Sequence, residues 1–360
     1  IGTSLFLEQG DFIYSSYSEN LNMSILHFRG NLLPVPFERS RQISLLQPLV
    51  RKENQIIVSE GTSLKIIDLV LSQEVWSMQI PSFFQGNSKM FIGTLPSSSD
   101  LILCKNDTVH IFSPKANSFR SIELGLHKVS AFVFFDLTFY LSRLRNTDKR
   151  QFTFVAVSSS ETPTIHIYDA ITFEVVARLV GHTSGVTSLY FSKGRFLVSG
   201  GVDGTVRIWE INLSKEDETG KEYVLIHRCR CLNIIHSAPI VGVCYGWIDK
   251  EDFLITADSN LIRVTNMYVS KPYLAFSICI PSGYAVTNLN MNWKTIELSF
   301  VVKNTKYQEN DLPDKVFTYA FAKRTANEPI TIPMSNNNFA NPNPTNRPQG
   351  SRSIQPIEIA

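Results

Sequence analysis

Thirty residues from Gly181 to Glu210, GHTSGVTSLYFSKGRFLVSGGVDGTVRIWE, constrain the fold of this chain more than any other stretch. The segment from Val186 to Phe191 alternates with a period of two, which is typical of a β-strand and not of a helix. Two further short strands are predicted, from Phe196 to Gly200 and from Thr205 to Ile211, with a tight Asp203-Gly204 turn between them. Because one such unit cannot bury both faces of its sheet, more units of the same kind are expected.

Weaker copies of the third strand, Val206-Arg207-Ile208-Trp209, recur along the chain. Each places a polar residue between apolar ones, at 64–68, 109–112, 165–169 and 262–265, with fainter copies near 23–27 and 316–319. The closest neighbours among them are about 40–45 residues apart, and the longer intervals contain polar insertions. The pattern predicts seven units with approximate boundaries at 1–39, 40–82, 83–125, 126–181, 182–234, 235–281 and 282–334.

The Gly181-His182 pair, the Asp203-Gly204 turn and Trp209 together resemble the WD-repeat family, whose repeats are four-stranded blades of a β-propeller. The resemblance implies an all-β fold, a seven-bladed propeller of four-stranded antiparallel blades over residues 1–334. In that family the last blade is usually completed by a strand from the other terminus, which here would come from upstream or from 329–333. The resemblance also implies a buried hydrogen-bonded tetrad of His182, Ser199, Asp203 and Trp209.

Composition and charge narrow the class of protein. With 43% hydrophobic and 18% charged residues the chain is expected to fold with an ample core. A net charge of +2 provides no general field for nucleic acid. The five cysteines are scattered and odd in number, which predicts reduced, buried thiols in an intracellular, cytoplasmic protein. No apolar run is long enough to cross a membrane.

The composition of the C-terminal residues and the first residue of the chain lead to two further predictions. Residues 335–360 are rich in Asn and Pro and are predicted to be a disordered tail, although 353–360 is faintly strand-like. The chain opens at Ile1 without Met and without a signal peptide, so it is expected to be part of something longer.

Several clusters have both a functional and a structural interpretation. The His, Asp and Ser of the tetrad could form a hydrolase triad, but no G-x-S-x-G elbow exposes the serine. A Cys-x-Cys pair with nearby histidines could bind zinc, but strand alternation explains the same residues (His227, Cys229, Cys231 and His236). The cationic loop 143–150 could contact phosphoinositides or be a solvated loop. In the aromatic run, Phe132, Phe134 and Phe135 are predicted to be core, whereas Phe139 and Tyr140 are placed past the strand end as candidates for docking a partner.

The function that these features favour is a non-enzymatic platform for other proteins or peptides, with no cofactor, metal or nucleic acid and a monomeric propeller. In the family, partners most often bind the loops before the first strand and between the second and third. The corresponding candidates are Thr183, Gly185, Val202, Lys128 and Asn106. A diffuse resemblance over 1–334 to the C-terminal propeller of BEACH-domain proteins implies vesicle traffic and peripheral membrane association through a larger parent chain.

Two alternatives remain open. A propeller-fold hydrolase would need carboxylates converging at the channel, from Asp203, Asp258, Asp107 and Glu60, all of which are also good turn formers. A reader of peptide or histone tails would need acidic residues and an aromatic cage there.

Overall fold

All the regular structure in the described part of the chain is β-strand. The computed structural model describes residues 4–6, 12–18, 23–28, 31–32, 43–48, 54–60, 63–79, 90–94, 100–105, 107–113, 118–140, 149–192, 196–214, 224–248, 251–267, 272–293, 296–305, 315–320 and 357–358. Within these ranges no helix is long and apolar enough to cross a membrane.

Within the described residues, the strands pair in chain order into seven four-stranded sheets, numbered here 1 to 7. The chain also divides into two compact units. The first unit, residues 1–124 with 290–297 and 310–316, contains sheets 1 to 3. Their strands are β1 (Ser4–Phe6), β2 (Phe12–Ser18), β3 (Met23–Phe28) and β4 (Asn31–Leu32); β5 (Ile43–Pro48), β6 (Gln55–Glu60), β7 (Ser63–Asp68) and β8 (Gln73–Gln79); β9 (Met90–Thr94), β10 (Leu101–Lys105), β11 (Thr108–Ser113) and β12 (Ser118–Glu123).

The second unit, residues 125–289, 298–309 and 317–360, contains sheets 4 to 6 and most residues of sheet 7. Its strands are β13 (Val129–Tyr140), β14 (Lys149–Ser159), β15 (Thr164–Asp169) and β16 (Val175–Val180); β17 (Val186–Ser192), β18 (Phe196–Gly201), β19 (Thr205–Ser214) and β20 (Val224–Ile235); β21 (Gly242–Ile248), β22 (Glu251–Ala257), β23 (Leu261–Asn266) and β24 (Tyr273–Cys279); β25 (Tyr284–Asn292), β26 (Glu297–Asn304), β27 (Lys315–Ala320) and β28 (Ile357–Glu358).

The predicted all-β architecture of four-stranded antiparallel sheets is confirmed. Each copy of the third-strand pattern found in the sequence lies in the third strand of its sheet, from β3 to β27. The pattern is informative because a strand buried on both faces keeps its apolar residues wherever it recurs. In β7 and β11, for example, four of the six residues are buried and none is exposed.

Packing between successive sheets in the second unit supplies most of its core. Leu197 and Trp209 of sheet 5 pack with Phe135 and Phe154 of sheet 4. On its other face sheet 5 contributes residues such as Ile208 to a cluster with sheet 6. The first strands of these sheets, β13, β17 and β21, are neighbours. Sheet 5 is therefore covered on both faces, as the sequence of its strands requires.

The first unit has a comparable core between sheets 2 and 3. Ile57 and Leu64 of sheet 2 pack with Leu101 and Leu103 of sheet 3, all of them buried. Sheet 2 also buries an ion pair, in which Lys65 Nζ lies 2.9 Å from Glu60 Oε2. A charge buried in this way is tolerated because its partner is close.

Two expectations from the sequence need correction. Cys104 and Cys244 are buried, but Cys229 and Cys279 are exposed because they lie on outer fourth strands, which have one face to solvent. The strand β13 continues to Tyr140, paired with β14, so Phe139 and Tyr140 are not past the strand end. The pairing of Ile357–Glu358 with β27 as a fourth strand agrees with the faint strand pattern of 353–360. Residues 321–356 lie outside the described part of the chain, including 329–333 and most of the predicted tail.

Candidate functional site

A buried chain of hydrogen bonds crosses sheet 5 from its third strand to the loop before its first. The indole Nε1–H of Trp209 donates to Ser199 Oγ at 2.9 Å. Ser199 Oγ lies 2.8 Å from His182 Nε2, and His182 Nδ1 lies 3.0 Å from Asp203 Oδ2. The Asp203 carboxylate can only accept, so His182 Nδ1 donates to it, and because burial disfavours a second proton on the ring, His182 Nε2 accepts from the Ser199 hydroxyl. The histidine is therefore neutral, with its own proton on Nδ1 facing the carboxylate.

Asp203 sits at the turn between β18 and β19 and collects donors from two loops. Its carboxylate accepts the backbone N–H of Thr183 at 2.9 Å and that of Thr205 at 2.9 Å. The Thr205 hydroxyl donates to it at 2.7 Å. The turn closes through Gly204, whose φ of 69° favours glycine. The carboxylate thus ties the loop before β17 to the turn before β19.

The pKa values of Asp203 and His182 follow from their burial and their hydrogen bonds. Burial alone would raise the pKa of Asp203, but the hydrogen bonds from Thr183, Thr205 and His182 outweigh it and lower the pKa to about 2. Burial lowers the pKa of His182 below 6.5, because the opposing attraction of Asp203 is weaker than the desolvation. The pair is an anionic carboxylate beside a neutral imidazole.

The structure brings all four tetrad residues together, and it buries them. Ser199 is fully buried inside β18, and Trp209 is 1% exposed. A nucleophilic serine must reach a substrate and the donors of an oxyanion hole. Ser199 instead accepts the Trp209 indole N–H within the sheet. The arrangement can hold two loops together, but the buried Ser199 hydroxyl is not placed to attack a substrate.

A second network of the same kind lies in sheet 6, and the sequence reasoning missed it. His236 Nδ1 is 3.0 Å from Asp258 Oδ2, and its Nε2 is 2.8 Å from the Thr256 hydroxyl. Asp258 also accepts the backbone N–H groups of Asn260 at 2.7 Å and Leu261 at 2.8 Å. Burial lowers the pKa of His236, as it does for His182.

A threonine occupies the place of the indole in this second network. Thr265 lies opposite Leu254 in the strand register, as Trp209 lies opposite Leu197. The sequence of sheet 6 therefore lacks the tryptophan that marks the network in sheet 5. Only the order of a His, a hydroxyl residue and an Asp around the second strand could have predicted the second network. The sequence pattern instead groups His236 with a possible zinc site and Asp258 with turn formers.

The candidate zinc ligands are only partly described. His227 and Cys229 are exposed on β20, whereas His236 is buried in its own network. The side chain of Cys231 lies outside the described residues. In the part of the chain that the structure describes, no three His, Cys, Asp or Glu side chains are arranged to hold a metal ion.

The candidate partner contacts have different surroundings. Thr183 is exposed and Val202 is 38% exposed, at the two loops that Asp203 joins. Lys128 is exposed, and its Nζ lies 2.6 Å from Glu161 Oε1. Gly185 is buried, because its Cα packs on the backbone of Ser160 where a Cβ would overlap the carbonyl. The expectation that Gly185 contacts a partner stays a prediction, and Asn106 lies outside the described residues.

The cationic loop 143–150 is also mostly outside the described residues, and only its last two positions, Lys149 and Arg150, are seen as the start of β14.

A WD repeat is present in this chain. Residues 173–210 match the family model described as "WD domain, G-beta repeat". The match contains the complete network from His182 to Trp209. WD-repeat proteins generally act as scaffolds for protein interactions.

Part of the chain is also similar in sequence to known proteins, one of which is named for its WD repeats. The chain is 38% identical over 122 residues to the WD repeat-containing protein pop2 of Schizosaccharomyces pombe, covering 33% of this chain and 17% of that protein. It is 34% identical over 122 residues to the nuclear distribution protein PAC1 of Arthroderma otae, covering 32% and 25%. It is 38% identical over 55 residues to cell division control protein 4 of Saccharomyces cerevisiae, covering 15% and 7%. The matched part is thus a quarter or less of each relative.

The fold is also similar to that of a chain in the solved structure titled "Crystal Structure of Mitotic Checkpoint Complex". The TM-score is 0.57 at 11% identity, and the similarity covers 83% of each chain. This neighbour is of the propeller type and supports the same class of fold for the sheets described above. At such low identity it carries no information on partners.

Proposed function

We propose that this protein is a non-enzymatic docking platform that binds other proteins through the loops at one end of its sheets. The observation that carries the proposal is the Asp203 carboxylate, which holds the loops of Thr183 and Val202 together while the network itself stays buried. Rigid loops bind with a smaller loss of conformational entropy than mobile ones.

We further propose that the sheets are blades of one seven-bladed propeller over 1–334, which acts as a monomer. The support is the seven four-stranded sheets and the propeller-type neighbour. In such a frame, loops before the first strand and between the second and third lie at one end of each blade. Ser237, Pro239 and Asn260 of sheet 6 then join Thr183 and Val202 of sheet 5 on the docking face, all of them exposed.

The test is the double variant Thr183→Arg with Val202→Arg, used as bait for capture from cells followed by quantitative mass spectrometry. We expect the partners retained by the natural protein to be lost, because two long, charged side chains would occupy the surface that a partner must cover. Thermal unfolding should be unchanged.

The matched control is Ile171→Arg with Val175→Arg. These side chains are 60% and 40% exposed at the turn between β15 and β16, at the other end of sheet 4. The Ile171→Arg/Val175→Arg variant should retain the partners that the natural protein captures. Equal capture by the Thr183/Val202 double variant would refute the docking face.

A propeller hydrolase is the less supported alternative. Asp258 and Glu60 are buried, and Glu60 pairs with Lys65. Asp203 already accepts the four donors described above, and the Thr108 hydroxyl donates to Asp107 at 3.2 Å. Hydrolysis of p-nitrophenyl esters that disappeared in Ser199→Ala would favour the enzyme over the platform.

A role in vesicle traffic, with cytoplasmic location and peripheral membrane association, rests on the diffuse BEACH-type resemblance alone. The relatives named above do not carry that name. Co-sedimentation of the protein with intracellular membranes, and capture of vesicle coat proteins, would support this role. Their absence from both experiments would contradict it.

A further inference from the structure

Two loops of the docking face each contain a buried histidine. His182 lies in the loop before β17, next to the exposed Thr183, and His236 lies in the loop before β21. Both imidazole side chains are 0% exposed. The Thr183 backbone N–H ties the first loop to the Asp203 carboxylate. The His236 backbone N–H ties the second loop to Gly204 O at 2.9 Å. A loop that leaves its sheet therefore exposes its histidine to water.

The hydroxyl beside each histidine leaves no place for a second proton on the ring. His182 Nε2 accepts the Ser199 hydroxyl, whose oxygen already accepts the Trp209 indole N–H. If Nε2 carried a proton, Ser199 would have to accept from the ring as well. Its own hydrogen would then have no acceptor, since Ser199 Oγ has no further partner among the described residues. Thr256 faces the same conflict with His236 Nε2. A second proton on either closed ring thus leaves a buried hydroxyl donor unsatisfied, which is unfavourable.

The charged groups around His182 come from sheets 4 and 5. Within sheet 5, Asp203 favours a protonated ring and Arg207 opposes it, and burial outweighs the attraction and lowers the pKa of His182. Asp203, with a pKa of about 2, stays ionised in neutral and mildly acidic solution. On the loops of sheet 4, Lys128 and Glu161 are paired with each other, with 2.6 Å between Nζ and Oε1. Among these groups, His182 is therefore the one that titrates in mildly acidic solution.

The surroundings of His236 have the same balance of charges. Asp258 favours a protonated ring, Arg263 opposes it, and burial again lowers the pKa. The neighbouring turn of sheet 5 carries Asp203, whose carboxylate already accepts the donors described above. Because both histidines bind a proton less readily in the closed loops than in water, the closed loops are favoured above the ordinary histidine pKa of about 6.5. They lose this advantage as the pH falls toward the folded pKa values.

We propose that the docking face is acid-sensitive: in mildly acidic solution the loops before β17 and β21 open, His182 and His236 take up protons, and a bound partner is released. The proposal rests on the docking face proposed above and adds its regulation. The opening is local, because it needs only the two loops to leave their sheets while the strands remain paired. Since Thr183 belongs to the first of these loops, a partner bound there loses part of its surface when that loop opens.

The test is amide hydrogen exchange, followed by NMR on the isotope-labelled full chain without a partner at pH 7.5 and pH 5.5. The Thr183 amide reports on the loop before β17, and the His236 amide reports on the loop before β21. The intrinsic rate of each amide at the same pH, divided by its measured rate, gives a protection factor. We expect both protection factors to fall about tenfold from pH 7.5 to pH 5.5, because an open loop holds a histidine with an ordinary pKa of about 6.5.

Sheet 4 supplies a matched control within the same chain. The Ser160 amide donates to Lys128 O at 3.2 Å and ties down the loop before β13. The histidine of that loop, His127, is exposed. Opening this loop moves no buried histidine into water, so the protection factor of Ser160 should be similar at both pH values.

Two variants assign the effect to each histidine. His182→Gln should remove the fall at the Thr183 amide and keep the fall at the His236 amide. His236→Gln should remove the fall at its own amide and keep that at Thr183. Thermal unfolding of each variant establishes that it is folded, and the two variants test the same mechanism independently.

Capture from cells measures the release of partners separately. Proteins captured at pH 7.5 are washed at pH 5.5, and we expect the natural chain to release them while the His182→Gln/His236→Gln double variant retains them. The exchange measurement contains no partner, so a failure of the docking face would leave the result on loop opening intact.

Three outcomes overturn the proposal. The first is a protection factor of Thr183 and of His236 that is the same at both pH values. The second is a fall at Thr183 that is as large in His182→Gln as in the natural chain. The third is retention at pH 5.5 of the partners that the natural chain captures at pH 7.5.

Discussion

At the residue scale, the two buried histidine networks show that one arrangement can be built from different side chains. His182 and His236 each bridge a carboxylate and a hydroxyl, although the hydroxyl comes from Ser199 in one sheet and Thr256 in the other. What both share is that every buried donor faces an acceptor, which is the condition for burying polar groups at low cost.

The first prediction concerns the centre of the tetrad. Ser199→Ala leaves the Trp209 indole N–H and His182 Nε2 without their partner, and each buried group left unsatisfied costs about 1–3 kcal/mol. We expect the free energy of unfolding in urea to fall by about 2 kcal/mol or more. Ser237→Ala, at an exposed loop position, is the control and should change little. Equal stability of Ser199→Ala and the natural chain would show that the network does not stabilise the fold.

A second prediction at this scale is a dependence of stability on pH. The pKa values of His182 and His236 lie below 6.5 in the folded chain, so the unfolded chain binds more protons. Stability is complete above pH 6.5 and falls as the pH drops toward the folded pKa values, by at most about 1.4 kcal/mol per pH unit for each histidine. His110 and His166, whose pKa values burial also lowers, act in the same direction.

The measurement is the urea unfolding midpoint at pH 7.5 and at pH 5.5, which we expect to decrease. His182→Gln should reduce the difference between the two pH values, whereas His127→Gln, at an exposed position, should leave it as it is. A midpoint that is the same at both pH values would contradict the burial of neutral histidines.

At the element scale, β-bulges at the start of the first strands connect one sheet to the next. The bulge between Val186 and Ser188 turns the Thr187 hydroxyl toward sheet 6, where it donates to Ile240 O at 2.5 Å. The bulge between Val129 and Ala131 does the same in sheet 4, where Ser130 donates to Val186 O. An extra residue in a strand changes the direction of a side chain, and here the bulges direct the hydroxyls of Thr187 and Ser130 toward the next sheet.

We therefore predict that Thr187→Val weakens the attachment of sheet 5 to sheet 6. The substitution keeps the shape of the side chain but leaves the Ile240 carbonyl without this donor, at a cost of about 1–2 kcal/mol in the free energy of unfolding. Thr164→Val, at the start of β15, is the matched control on a strand. A cost no larger than that of the control would show that the hydroxyl does not hold the sheets together.

The sequence was most reliable for elements with a strong local pattern. The strands β17, β18 and β19 were predicted within a few residues because alternation and the Asp203-Gly204 turn are encoded locally. The length of β13 was underestimated, because its extension to Tyr140 depends on pairing with β14 across the polar insertion. Long-range pairing leaves little trace in a local pattern.

At the scale of the whole molecule, the end of the chain takes part in a sheet. Tyr319 and Ala320 of β27 pair with Glu358 and Ile357 of β28. The composition of 335–352 predicts a segment without a core of its own. A tail of this kind can still deliver a terminal strand to an edge that would otherwise be open.

The corresponding prediction is that deletion of residues 353–360 lowers the thermal unfolding midpoint, because the outer edge of β27 loses its partner. Replacement of 340–347, within the Asn/Pro-rich stretch, by a Gly-Ser linker of equal length is the control and should have no effect. A deletion without effect would indicate that the tail contributes nothing to the fold.

The sequence by itself determined the class of fold and the clearest repeat, because strand alternation, turn residues and the order of His182, Ser199, Asp203 and Trp209 are properties of neighbouring residues along the chain. Only the tertiary structure decided that Gly185 is buried, that Cys229 is exposed, and that His236 bonds to Asp258. These outcomes depend on which sheet packs against which, and such contacts join residues far apart in sequence.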